Sequence, residues 1–73
     1  MKTLREWRIE RVLSIRQLAE ASGVTTKTIV DIEHGRRQAH YGTMRGLAEA
    51  LGVTAADVEE FAHTLEERSK NAA

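Results

Sequence analysis

In the stretch SIRQLAEASGVTTKTIVDIEHG, Ser14 to Gly35, two short amphipathic segments meet at a glycine. Ser14 and Gln17 have the spacing of a capping box, in which each side chain satisfies a free amide of the other residue at the start of a helix. Leu18 and Ala19 then form an inward face, and Gly23 supplies the left-handed stop that ends such a helix without a Cβ clash. The second segment begins at Thr25, whose hydroxyl is suited to cap the next helix. Val24 and Ile29 flank that cap as a hydrophobic staple, while Ile29, Ile32 and Glu33 recur on one face. Small Ala19 lets the two helices approach, and Ile29 with Ile32 packs the second back over the first. This is helix-turn-helix spacing. It leaves Thr26, Lys27, Thr28, Val30 and Asp31 outside the core, a short-chained polar surface able to approach a partner closely.

The same punctuation continues in both directions. Thr3 with Glu6 and Thr54 with Asp57 repeat the capping box, and Gly35 and Gly52 repeat the stop. The spacing predicts five helices, Leu4 to Val12, Ile15 to Ser22, Thr26 to His34, Tyr41 to Leu51 and Ala55 to Arg68, with no strand signal and no proline. Inward positions are Leu4, Trp7, Val12 and Leu13; Leu18 and Ala19; Val24, Ile29 and Ile32; Met44, Leu47, Ala48 and Leu51; then Val53, Val58, Phe61 and Leu65. Gly46 falls inside the fourth helix, where it costs about 1 kcal/mol relative to alanine. Only close packing would account for it.

A chain of 73 residues holds one small domain, here residues 1–68 with a short tail at 69–73 that is expected to fray. It has no cysteine and no Cys/His metal spacing, so burial alone must stabilise it, which suits a reducing, cytoplasmic setting. No apolar run is long enough to span a membrane, and the start MKTLREWRIE lacks the apolar stretch of a signal peptide. The zero net charge conceals an asymmetry. Residues 1–46 carry nine Lys/Arg against five Asp/Glu, a balance of +4, and residues 47–73 carry two against six, a balance of −4. The basic half contains the helix-turn-helix spacing, an asymmetry that fits a polyanion partner and equally an ordinary solvated helix surface. Catalysis is not expected: no motif gathers Ser, His, Asp or Glu, and no glycine-rich phosphate loop follows a strand. His34 suits a helix C-terminus, and His40 and His63 are read as surface residues.

The segments LSIRQLAEASGV, TIVDIEHGRR and LAEALGV together resemble the Cro and phage-repressor type of DNA-binding domain, the xenobiotic-response-element-like family. The resemblance runs from about Leu4 to Val58. It implies an all-α, compact, five-helix lambda-repressor-like fold with the helix-turn-helix at helices 2 and 3, the third helix entering the major groove of double-stranded DNA. Carried over residue by residue, base contacts fall on Thr26, Lys27, Thr28 and Asp31. Phosphate contacts fall on Ser14, Ile15, Arg16, Thr25, Arg36, Arg37 and Gln38. Arg8 and Glu33 match an ion pair that ties the first helix to the end of the recognition helix. Ile15 departs from the family's usual glutamine, and its side chain cannot donate, a loss for which Arg16 or Arg45 would compensate. Proline, usual near Ala39 to Tyr41, is missing, which predicts a less rigid approach to the fourth helix.

The function implied is a sequence-specific transcriptional regulator, a repressor more readily than an activator, with no cofactor and no metal. Val58, Phe61, Ala62 and Leu65 recur at i, i+3, i+4 and i+7 beyond what a short core covers, so they are expected at a homodimer interface. The rival reading is an antitoxin-type or other interaction module whose C-terminal helix docks on a partner protein.

Overall fold

Hydroxyl caps open three of the five α-helices in the computed structural model, which describes residues 1–71. Thr3 Oγ1 accepts the Glu6 amide at 3.2 Å while Glu6 Oε1 accepts the Thr3 amide at 2.9 Å, starting α1 (Leu4–Glu10). Ser14 and Gln17 make the same reciprocal pair at 3.0 and 2.9 Å to start α2 (Ile15–Ser22). Thr25 Oγ1 accepts the Thr28 amide at 3.2 Å to start α3 (Thr26–Glu33). Two more helices follow, α4 (Tyr41–Leu51) and α5 (Glu59–Asn71). The described residues contain no strand. Each such cap is worth about 1 kcal/mol, a large share of what a domain this small has available.

The first helix is shorter than its periodicity suggests, and its last expected core residue points outward. Val12 adopts φ 57° and is 85% exposed. The cause is the way α1 ends. The Val12 amide bonds to the Ile9 carbonyl at 2.9 Å and the Leu13 amide to the Arg8 carbonyl at 3.0 Å, a Schellman closure that demands a left-handed residue at 12 and turns Leu13 toward the core instead.

The fifth helix is also divided. A 3-10 turn at Ala55–Asp57 comes first, Val58 is extended, and α5 begins only at Glu59. The N-terminal residues impose this break: the Glu59 amide donates to the Lys2 carbonyl at 2.9 Å, Trp7 Nε1 donates to the Asp57 carbonyl at 2.9 Å, and Glu60 Oε1 accepts the Leu4 amide at 2.8 Å. At its other end α5 continues through Asn71, past the expected domain limit at 68; residues 72 and 73 of the expected tail lie outside the described residues.

The core gathers Leu4, Leu18, Ile29, Ile32, Met44, Leu47, Leu51, Val58 and Phe61 with Ala39, which periodicity did not flag. Trp7, expected inward, is only half-buried, and Lys2 and Arg11 lie over its ring at 4.7 and 5.2 Å from the centroid. In place of a proline before α4, buried Ala39 anchors the chain, and Arg68 of α5 stacks on Tyr41 at 4.6 Å. Gly46 now has its reason: a Cβ there would stand 2.8 Å from the Ser22 carbonyl oxygen, so α4 can lie against the end of α2 only because the position is bare.

Candidate nucleic-acid interface

The turn between α2 and α3 is made by Gly23 at φ 74°, whose amide bonds to the Ala19 carbonyl at 2.9 Å. Partly buried Val24 follows, and Thr25 caps α3, so α3 starts four residues after α2 ends. Ile29 and Ile32 sink into the core and fix which face of α3 is left outside. That face carries Thr26 and Lys27, both exposed, Thr28, partly exposed, and Asp31, whose side chain is 16% exposed.

The far end of α3 is held by the ion pair of Arg8 and Glu33. Arg8 Nε donates to Glu33 Oε2 at 2.8 Å and Nη2 to Oε1 at 3.2 Å, a bidentate fork between α1 and α3. Nη1 of the same guanidinium donates to the Leu13 carbonyl at 3.0 Å, so one side chain fixes α1, the turn before α2 and the end of α3. His34 closes the helix, its Nδ1 donating to the Val30 carbonyl at 2.8 Å.

Around this helix lie the expected phosphate contacts. Ser14, Arg16, Arg36, Arg37 and Gln38 are exposed, and Thr25 is exposed at its cap. Ile15 is not: its side chain packs on the core, which accounts for an apolar residue at that position, and only its first-turn amide remains to face an anion. Arg16 lies 3.8 Å from Glu20 with both side chains well exposed, a weak pair that leaves the guanidinium available. Arg45 lines a groove between α4 and α5 with Tyr41, Val53 and Leu65.

Sequence spacing did not reveal that the loop after α3 folds back onto the outward face of that helix. Gly35 at φ 72° and the Arg36 amide, bonded to the Asp31 carbonyl at 2.7 Å, reverse the chain. Arg37 Nη1 then donates to Thr28 Oγ1 at 3.2 Å, and Arg36 comes within 3.6 Å of Asp31, whose other oxygen is 3.6 Å from Lys27. A glycine at C′ followed by two arginines was the available signal, since the closure of a helix by such a glycine aims the next residues back along it.

The expected dimer residues divide. Val58 is 0% and Phe61 1% exposed, so the chain's own core uses them and they are not surplus. The N-terminal residues that clamp the start of α5 supply the cover that a four-helix core alone would lack. Ala62 and Leu65 stay partly exposed. Among the described residues, no three His, Cys, Asp or Glu side chains are placed to hold a metal ion, and no helix is long and apolar enough to cross a membrane.

Residues 2–61 match the family described as the helix-turn-helix domain. The chain belongs to that family. Its type is the Cro and phage-repressor, xenobiotic-response-element-like one anticipated from the motifs, with α2 and α3 as the two helices that name it. Among solved structures, this helix-turn-helix domain is similar to the crystal structure of the clp gene regulator ClgR from Corynebacterium glutamicum, with a TM-score of 0.71 and 30% sequence identity over 94% of this chain and 74% of that one. No curated protein matches the sequence.

Proposed function

We propose that this helix-turn-helix domain is a sequence-specific transcriptional regulator that reads double-stranded DNA with α3, acts as a homodimer, and represses by occupying its operator. One observation carries the reading: a rigidly held α3 presents Thr26, Lys27, Thr28 and Asp31 outward between two phosphate-suited elements, the first turn of α2 and the Arg36 to Gln38 loop. Thr and Lys side chains at the front of such a helix are of a length and chemistry that match base edges, and the flanking cations match phosphates. ClgR, to which the chain is similar, is a clp gene regulator, which supports the assignment. The work is binding in the cytoplasm, without catalysis, cofactor or metal.

Two-fold association would use the groove between α4 and α5 bounded by Tyr41, Val53 and Leu65. It would set two recognition helices about 34 Å apart, one helical turn of DNA. Selection from a random DNA pool tests the function: enrichment of a palindromic site supports it, and a pool that stays random refutes it. Sedimentation of Leu65→Glu against the parent tests the interface, which an unchanged dimer would exclude.

A further inference from the structure

The groove between α4 and α5, about 360 Å³ in volume, carries two opposite charges among its apolar residues. Arg45 and Glu49 stand one helical turn apart on α4, both exposed, beside Tyr41, Ala48, Val53 and Leu65. Wherever else a helix of this chain sets Lys or Arg four residues from Asp or Glu, the pair closes: Arg16 with Glu20 at 3.8 Å, Lys27 with Asp31 at 3.6 Å and Lys70 with Glu66 at 3.5 Å. Arg45 and Glu49 have that spacing and do not close. Among the described residues, neither forms an ion pair with any side chain.

An apolar partner laid over this groove would desolvate both charges without pairing them, which is costly. A second copy of the chain avoids that cost. A two-fold axis crossing α4 at the level of Leu47 sets the helix antiparallel to its copy, so position 45 falls opposite 49 and position 41 opposite 53. Both pairings join groove residues: opposite charges in the first, and Tyr41, 56% exposed, with partly exposed Val53 in the second. Resting on the proposed homodimer, we infer that Arg45 of each protomer pairs with Glu49 of the partner subunit, and that this reciprocal pair makes the chain select its own copy. A related domain with like charges at either position is repelled twice across the axis. Arg45 therefore serves association and not the phosphate contact that the isoleucine at position 15 left to be supplied.

The test is sedimentation off DNA, at micromolar concentration and low salt, of the full chain and its Arg45→Glu, Glu49→Arg and doubly exchanged variants, each checked for parental helicity. Each single variant faces like charges across the axis and should dimerise at least about tenfold more weakly than the parent. Mixed in equal amounts, the two should associate with each other as the parent does with itself. The double exchange should restore a homodimer. With one protein isotope-labelled, native mass spectrometry should find no mixed dimer of the double exchange and the parent. Single variants that dimerise like the parent, a mixture of them that stays monomeric, or free mixing of the double exchange with the parent overturns the pairing while two-fold association stands. A monomeric parent overturns both, and leaves the reading of DNA by α3 to the random-pool selection.

Discussion

Gly46 lies so close to Ser22 that a Cβ on it would be 2.8 Å from the Ser22 carbonyl oxygen. The obstacle is backbone at the last turn of α2, which cannot swing aside as a side-chain tip would. The relationship sets the distance between α2 and α4 and so supports the helix-turn-helix from behind. Gly46→Ala would gain about 1 kcal/mol in a free helix. Here overpacking dominates, and the variant should lose about 1 to 3 kcal/mol. A thermal melt showing a raised midpoint would refute this packing.

The Arg8 and Glu33 side chains are 12% and 3% exposed, so Glu33→Ala leaves a cation largely buried without its partner. The expected loss is about 3 to 5 kcal/mol, most of the stability of a chain this size. Arg8→Met with Glu33→Leu should recover much of it, short of about 1 kcal/mol for the Leu13 carbonyl that loses its donor. Denaturant titrations of the two variants side by side decide it, and equal midpoints would count against the pair.

Val12 holds a left-handed conformation with a β-branched side chain that touches little. Glycine removes that Cβ conflict, so Val12→Gly should raise stability by about 1 kcal/mol. The urea midpoint should rise with an unchanged slope. A fall would mean that the exposed isopropyl group has a partner within the fold.

Lys27 and Arg16 should lose different things on truncation. Lys27→Ala, at the front of α3, should relax preference at one operator position by about 1 to 3 kcal/mol. Arg16→Ala should weaken all sequences alike and lower the salt slope by about one unit. Binding to a substituted operator series at several salt concentrations separates the two; unaltered base preference in Lys27→Ala would remove α3 from the groove.

Glu6 has its pKa lowered from the ordinary 4.5 by the backbone amide and hydroxyl of Thr3. A carboxylate favoured in the folded state contributes stability that is complete above its unfolded pKa and is lost as pH falls through its lowered folded value. Protection of the first-turn amides of α1, taken relative to the intrinsic exchange rate at each pH, should therefore fall in that acid range. Glu6→Gln, whose amide oxygen can still accept from Thr3, should abolish the acid step; an identical pH profile in both proteins would assign the step to another group.

Helix starts were legible because a cap and its partner lie three residues apart: Thr3 with Glu6, Ser14 with Gln17 and Thr25 with Thr28 make their bonds locally, whatever the rest of the chain does. The outward face of α3 was legible for a related reason, since Ile29 and Ile32 claim one face of the helix and assign the other by elimination. Together with the family motifs these local rules determined an all-α helix-turn-helix domain and the outward set Thr26, Lys27, Thr28 and Asp31. Tertiary structure alone decided the rest. Val12 turned outward because the helix end needed a left-handed residue there, and Phe61 went fully inward because the N-terminus, far away in sequence, clamps the start of α5. Gly46 faces a carbonyl 24 residues earlier, and Arg37 reaches a hydroxyl nine residues back across a reversed loop. Such contacts leave no periodicity behind, because the groups that meet are brought together by packing and not by helical spacing.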